Sequence, residues 1–195
     1  MKAPLSRTDP LIAVIGPSGT GKSTVVRALA AARIVDVTPS WTTRPARPGE
    51  EGVCVEHRFV TDEEFDTLQG RGAFAATIRP FDLPYRYGLP AISRPRHGAV
   101  ALLMLRAALI PALRAHYDRP AIYQIEDSRE RVADRLLRRH RAPAELGTRL
   151  IDYDVEVALG RAVADRVFVN DRTVPRLVAV MREAIATDFG LGVPS

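Results

Sequence analysis

The stretch Leu11-Ile-Ala-Val-Ile-Gly-Pro-Ser-Gly-Thr-Gly-Lys-Ser23 decides the fold. Its first residues, Leu11 to Ile15, form an unbroken apolar run rich in β-branched side chains, the pattern of a short strand covered on both faces. The residues that follow satisfy G-x-x-x-x-G-K-[ST] at every fixed position, namely Gly16, Gly21, Lys22 and Ser23. A strand that ends in such a loop and runs into a helix aims several backbone N–H groups at one small volume. The helix dipole points the same way, so a polyphosphate is held there without a side chain for each oxygen. Glycine permits close approach and positive φ, Lys22 is expected to reach the outer phosphates, and the Ser23 hydroxyl is the expected Mg²⁺ ligand. The predicted ATP cradle is Gly16, Ser18, Gly19, Thr20, Gly21, Lys22, Ser23 and Thr24. A helix without Gly or Pro follows over 24–32.

Working outward, 195 residues suit one domain (1–195) with a full core. Hydrophobic content of 46% and charged content of 26% are ordinary for a globular protein. No apolar run approaches a membrane span, and the first ten residues lack the apolar centre of a signal peptide. No membrane partner and a cytoplasmic location are therefore expected. The single cysteine, Cys54, allows no internal disulfide and has no neighbouring base or ligand set. A net charge of +5 raises the question of nucleic acid, but no stretch interleaves basic and aromatic residues as a single-strand platform would. Lys2 and Lys22 are the only lysines among 28 basic residues. A chain that otherwise uses arginine keeps lysine in the loop, where a compact ammonium is needed and a planar fork is not.

Further apolar runs at 34–38, 99–105, 121–125 and 166–170 read as strands. Helical patterns lie at 107–117 (bent or started at Pro111), from 127 to about 140, over 145–164 and over 174–186. Asp127-Ser-Arg-Glu130 has the spacing of a capping box with Asp127 as the cap. Glu126 and Asp127 are also candidate Mg²⁺ ligands at the end of a core strand. Strands alternating with helices give an α/β fold whose parallel sheet is covered on both faces, with ligands beyond the carboxyl ends of the strands. The proline- and arginine-rich segment 38–95 interrupts this alternation, and only 62–68 looks helical within it.

That segment holds Ser40-Trp-Thr-Thr-Arg-Pro-Ala-Arg-Pro-Gly-Glu50. Arg44 and Arg47 lie three apart in a proline-stiffened loop beside the hydroxyls of Ser40, Thr42 and Thr43. Guanidinium forks among hydroxyls suit a phosphate monoester, and they equally suit a solvated loop. Together with the phosphate loop, the run 42–50, Phe59-Val60 before Asp62-Glu-Glu-Phe65, Tyr87-Gly88 and Val169-Asn-Asp171, it resembles the guanylate kinases in order and near-spacing.

The resemblance implies a three-layer α/β/α P-loop NTPase fold of the nucleoside-monophosphate-kinase kind. Its core would be 11–37 and 96–187, with an acceptor-binding insertion over 38–95 and an arginine-bearing lid over about 135–149. It implies that Ser40, Arg44, Arg47, His57 and Tyr87 hold the acceptor's phosphate. Lys22, Arg135, Arg139 and Arg149 would neutralise the transferring phosphoryl group, and Asn170 and Asp171 would lie beside the adenine. ATP and Mg²⁺ are the implied cofactors, a small phosphorylated acceptor the partner, and a monomer or homodimer the acting form.

The chain also departs from that pattern. Ala76 and Leu105 stand where guanylate kinases carry the carboxylates that read guanine, with Glu56 or Asp82 as candidate replacements. The strand 100–105 contains no Asp to help position Mg²⁺. Glu56-His57, Tyr85-Arg-Tyr-Gly-Leu-Pro90 and Arg106-Ala-Ala-Leu109 before Pro111 are similar to ribose 1,5-bisphosphate phosphokinases, which also lack those carboxylates. The expected activity is transfer of the ATP γ-phosphoryl group to an acceptor's phosphate. GMP is the family default acceptor and ribose 1,5-bisphosphate the alternative. A non-catalytic guanylate-kinase-like binding module is a further alternative, against which the complete phosphate loop argues.

Overall fold

A computed structural model describes residues 3–46, 50, 54–79, 84–95, 99–139 and 143–191, the side chains at 139 and 143–149 excepted. Strand β1 (Leu11–Ile15) is buried along its whole length. Its alternate residues point to opposite faces, as the period of a strand requires. Ile12 and Val14 enter one core cluster with Val25, Val26, Leu29 and Met181, while Leu11, Ala13 and Ile15 enter a second with Leu103, Ile110 and Leu113. Burial on both faces explains the unbroken apolar run.

The phosphate loop feeds helix α1 (Lys22–Ala31), followed by β2 (Val35–Val37). The chain then leaves the core for β3 (Ser40–Thr42), β4 (His57–Phe59), α2 (Asp62–Gly70), β5 (Phe74–Ile78) and β6 (Tyr87–Pro90). It returns as β7 (Val100–Met104), a 3₁₀ turn (Ala107–Leu109), α3 (Ile110–His116) and β8 (Ala121–Glu126). Helices α4 (Arg129–Arg139) and α5 (Pro143–Val163), strand β9 (Arg166–Val169) and helix α6 (Val174–Phe189) complete it. The core sheet has the order β2-β7-β1-β8-β9, and all its pairs are parallel. This is the expected α/β architecture. Among the described residues no helix is long and apolar enough to cross a membrane.

The segment 38–95 is more ordered than its composition suggests. It carries a second sheet, β4-β3-β6-β5, with Phe65 of α2 packed on Phe74 of β5. Helix α2 is closed by a capping box in which Thr61 Oγ1 accepts from Glu64 N while Glu64 accepts from Thr61 N.

One local expectation is corrected. Ser128, and not Asp127, supplies the capping oxygen of α4: Arg131 N donates to Ser128 Oγ at 3.2 Å. The Asp127 side chain is buried, accepting from Ser128 N at 2.8 Å and paired with Arg135 at 2.6 Å. Helix α4 therefore begins one residue later than the box spacing implies. Glu126 is likewise committed, accepting from Arg161 at 2.8 and 2.6 Å and from Gln124 at 2.6 Å. These bonds and Tyr153, whose hydroxyl donates to the Asp127 carbonyl at 2.6 Å, dock α5 on the end of β8.

Candidate active site

The loop between β1 and α1 is shaped by three positive-φ glycines, Gly16 (128°), Gly19 (88°) and Gly21 (93°). A Cβ on Gly16 would lie 2.3 Å from the Ile125 carbonyl oxygen, so the loop's first residue cannot carry a side chain without moving away from β8. Thr20 Oγ1 donates to the Pro17 carbonyl at 3.0 Å, and Lys22 Nζ donates to the same oxygen at 2.5 Å. The ammonium is thus folded over the loop it would serve.

Two side chains from elsewhere brace this loop. Asn170 is buried just after β9, and its Nδ2 donates to the Thr20 carbonyl at 2.9 Å. The same nitrogen lies 2.6 Å from where a Cβ on Gly21 would be, so residue 21 is glycine for space as well as for φ. Arg135 of α4 donates to the Gly19 carbonyl at 2.9 Å while pairing with Asp127. Asp171 is exposed, and its carbonyl accepts from Arg131 at 2.9 Å.

Facing the loop across one cavity are Ser40, Arg44, Glu50, His57, Tyr85 and Tyr87. The second sheet sets this group: β3 supplies Ser40, β4 pairs His57 beside it, and β6 supplies Tyr87. Ser40 Oγ lies 2.8 Å from His57 Nδ1, and the His57 ring meets Tyr87 edge-on at 6.3 Å. Arg44 is buried, with its guanidinium over Phe59 at 5.0 Å and its Nη1 2.9 Å from a Glu50 carboxylate oxygen. A carboxylate resting on a buried guanidinium marks an anion-binding position.

On the floor of the cavity, Leu105 was expected at the acceptor, whereas Met104, Arg106 and Asp152 were not among the expected site residues. Met104, at the end of β7, puts its sulfur 4.0 Å from Ser23 Oγ. Beyond it Leu105, Arg106 and Leu109 line the same space, with Asp152 entering from α5. Arg106 Nη1 donates to Asp152 at 3.1 Å, Nη2 makes a second bond to the same carboxylate, and Nε lies 3.2 Å from Glu156. Burial works against the Arg106 charge, but the Glu156 and Asp152 carboxylates outweigh it and hold its pKa above the ordinary value. Burial pushes the Glu156 carboxyl up, with Arg106 and Lys22 opposing the shift. The signal for the two acids was their four-residue spacing on one helical face.

Of the residues expected here, Gly16, Ser18, Gly19, Gly21, Lys22, Ser23, Thr24, Ser40, Arg44, His57 and Tyr87 all border this cavity. Arg47 and Asp82 lie outside the described residues, as do the side chains of Arg139 and Arg149. Glu56 does not face the cavity: its buried carboxylate pairs with Arg27 at 3.0 Å and accepts from Cys54 Sγ at 3.5 Å. Burial and that carboxylate raise the Cys54 pKa, which keeps it an unreactive thiol.

With the geometry in place, comparison with known proteins decides the family. The chain is 32% identical to a guanylate kinase of Symbiobacterium thermophilum over 185 residues, covering 91% of this chain and 85% of that protein. The chain belongs to the guanylate kinase family. A guanylate kinase of Nitrosococcus oceani is 42% identical over 79 residues, a stretch that spans 40% of this chain and only 37% of that relative. A crystal structure of the guanylate kinase from Anaplasma phagocytophilum superposes with a TM-score of 0.63 at 24% identity, covering 94% of this chain and 88% of that one. That likeness establishes the nucleoside-monophosphate-kinase-like P-loop fold. No family model matches the chain.

Proposed function

We propose that this chain is a kinase that moves the γ-phosphoryl group of MgATP onto the phosphate of a small phosphorylated acceptor. One observation carries the reading: the main-chain cradle of Gly16 to Ser23 and the Ser40–Arg44–His57–Tyr87 cluster border a single cavity. An anion site built of amides opposite one built of a guanidinium and hydroxyls suits two phosphates brought end to end. The acceptor phosphate is already ionised, so no general base and no covalent intermediate are required. Catalysis is then alignment and charge neutralisation. Lys22 releases the Pro17 carbonyl to meet the outer phosphates, and Arg135 exchanges the Gly19 carbonyl for the transferring group. Arg139 and Arg149 join it as the lid closes, excluding water and limiting wasteful hydrolysis.

The donors present fit a Mg²⁺ that arrives on the nucleotide, for which Ser23 Oγ is the protein ligand. Bound there, it would neutralise phosphate charge. The thioether of Met104 is too soft to serve this hard ion, while Asp127 and Glu126 are held by arginines.

GMP is the default acceptor of the family. A second reading, a ribose 1,5-bisphosphate phosphokinase, is favoured by Leu105, which lines the cavity, and by Ala76, which packs against the apolar cluster under the second sheet. Neither side chain can accept a hydrogen bond from guanine, and sites built on such bonds discriminate by factors of thousands. A coupled assay of ADP release against GMP, other nucleoside monophosphates and ribose 1,5-bisphosphate tests both readings. Lys22→Ala is expected to abolish turnover while leaving the circular dichroism spectrum unchanged, and retained turnover would remove the loop from the mechanism.

A further inference from the structure

Arg106 and Asp152 form a paired donor and acceptor set on the acceptor side of the cavity, and the phosphate chemistry above uses neither. Their side chains are 11% and 5% exposed, yet both border the space shared by Tyr85, Tyr87, Leu105 and Leu109. A buried ion pair is a poor stabiliser compared with apolar residues of the same size. The surrounding wall of Leu105 and Leu109 shows that apolar packing is available at this position. The pair also leaves capacity unspent. Asp152 engages one hydrogen on each Arg106 terminal nitrogen, so each keeps a second N–H, while the Nε–H is turned to Glu156 at 3.2 Å.

We propose that Arg106 and Asp152 read vicinal hydroxyls on the sugar of the acceptor, the guanidinium donating to a hydroxyl oxygen while the carboxylate accepts a hydrogen bond from a hydroxyl O–H. The inference rests on the kinase reading and names the chemistry of the same site's acceptor. A flanking carboxylate pair, Asp152 and Glu156, disfavours a second phosphate at this position through like charge. A hydroxyl both donates and accepts, so it satisfies the two halves of the pair at once. Ser40, Arg44 and Tyr87, supplied by the second sheet and the loop after it, and Arg106, supplied beyond β7, border the same cavity, so a sugar phosphate could have its phosphate end and its hydroxyl face held by different elements. Such a diol can come from the ribose of a nucleotide or from a free pentose phosphate.

The test removes the hydroxyl from the ligand and the acceptor atom from the protein in turn. Binding of GMP, 2′-deoxy-GMP, ribose 5-phosphate and 2-deoxyribose 5-phosphate is measured by titration calorimetry on the full chain and on Asp152→Asn and Arg106→Gln, with kcat and KM for whichever is turned over. For the native chain, deletion of the hydroxyl is expected to weaken binding by about 10-fold or more, the worth of a hydrogen bond to a charged group. For either variant the same deletion is expected to change binding less than about 2-fold. KM for ATP stays within 2-fold throughout, and Arg106→Lys recovers part of the loss. The arm that shows the coupling, nucleotide or free sugar, identifies the source of the diol. Equal hydroxyl sensitivity in native and variant chains overturns the assignment, as does a native chain that binds MgATP but none of the four sugar phosphates. Failure of the kinase reading shows itself separately, as ADP formation unchanged by Lys22→Ala. A variant that does not fold is recognised by its unfolding transition, and the Asn and Gln substitutions then give way to Asp152→Ser, for which the same two outcomes decide.

Discussion

Replacing Asn170 by alanine separates two roles for a residue that the family resemblance puts beside adenine and the structure puts under the phosphate loop. Its Nδ2 donates to the buried Thr20 carbonyl at 2.9 Å, and its own N–H donates to the Glu126 carbonyl at 2.7 Å. Alanine keeps the second bond and loses the first. The orphaned Thr20 oxygen costs about 1–3 kcal/mol, since a buried acceptor left unpaired forfeits its full desolvation. A residual void of about 20 Å³ adds roughly 0.5 kcal/mol at about 24 cal/mol per Å³. Urea unfolding is therefore expected to show a loss of about 1.5–3.5 kcal/mol. Because the loop that loosens is the proposed phosphate cradle, the Kd for MgATP should rise about 10-fold or more, and equally for MgGTP. Asn170→Asp keeps the shape but sets two acceptors against each other, so it should be at least as damaging. Stability within about 0.5 kcal/mol of the native chain, coupled with a Kd that rises for MgATP but not for MgGTP, would refute the bracing role and point to base recognition.

Gly16→Ala is expected to destabilise by about 1–3 kcal/mol from the positive φ alone, before the clash with the Ile125 carbonyl is relieved. The displaced loop should lower kcat/KM about 100-fold, which steady-state kinetics would show. The acid limb of stability should carry the signature of Asp188. Arg166 and the Tyr123 hydroxyl hold its pKa below the ordinary 3.8, so its contribution is present above that value and lost as pH falls through the folded value. The stability difference between the native chain and Asp188→Asn should therefore be flat from about pH 7 to 5 and shrink below about pH 4, read by urea unfolding at each pH.

The parts of the molecule that could be read from the chain are those whose cause is local. The core strands announced themselves because burial on both faces of a parallel sheet demands continuous apolar runs, and the loop because its glycines answer to backbone geometry at their own positions. The second sheet could not be read this way. Strands β3 and β4 have three residues each and hold Ser40, Thr42, His57 and Arg58, whose sheet conformation comes from pairing with partners distant in sequence. The same distance hid the ion pair on the cavity floor. Arg106 and Asp152 are 46 residues apart, and only the docking of α5 on β8 brings them together. The shift of the cap from Asp127 to Ser128 has a tertiary cause too, since Arg135 draws Asp127 into the interior and leaves the hydroxyl to cap the helix.

The bracing of the phosphate loop bears on how a lid could be coupled to nucleotide. Arg135 joins two acceptors at once, the Gly19 carbonyl of the loop and the buried carboxylate of Asp127 at the base of its own helix. On the kinase reading proposed above, the Gly19 carbonyl belongs to the loop that would cradle the phosphates, so a guanidinium held there would stand within a side chain's reach of them. Moving from Gly19 to phosphate exchanges a neutral acceptor for a charged one, the stronger of the two bonds. Asp127 stays as the pivot, because its burial makes an unpaired charge there costly. On the same kinase reading, α4 would stay tethered through Asp127 while Arg135 trades partners, and nucleotide binding would supply the difference in free energy that moves it.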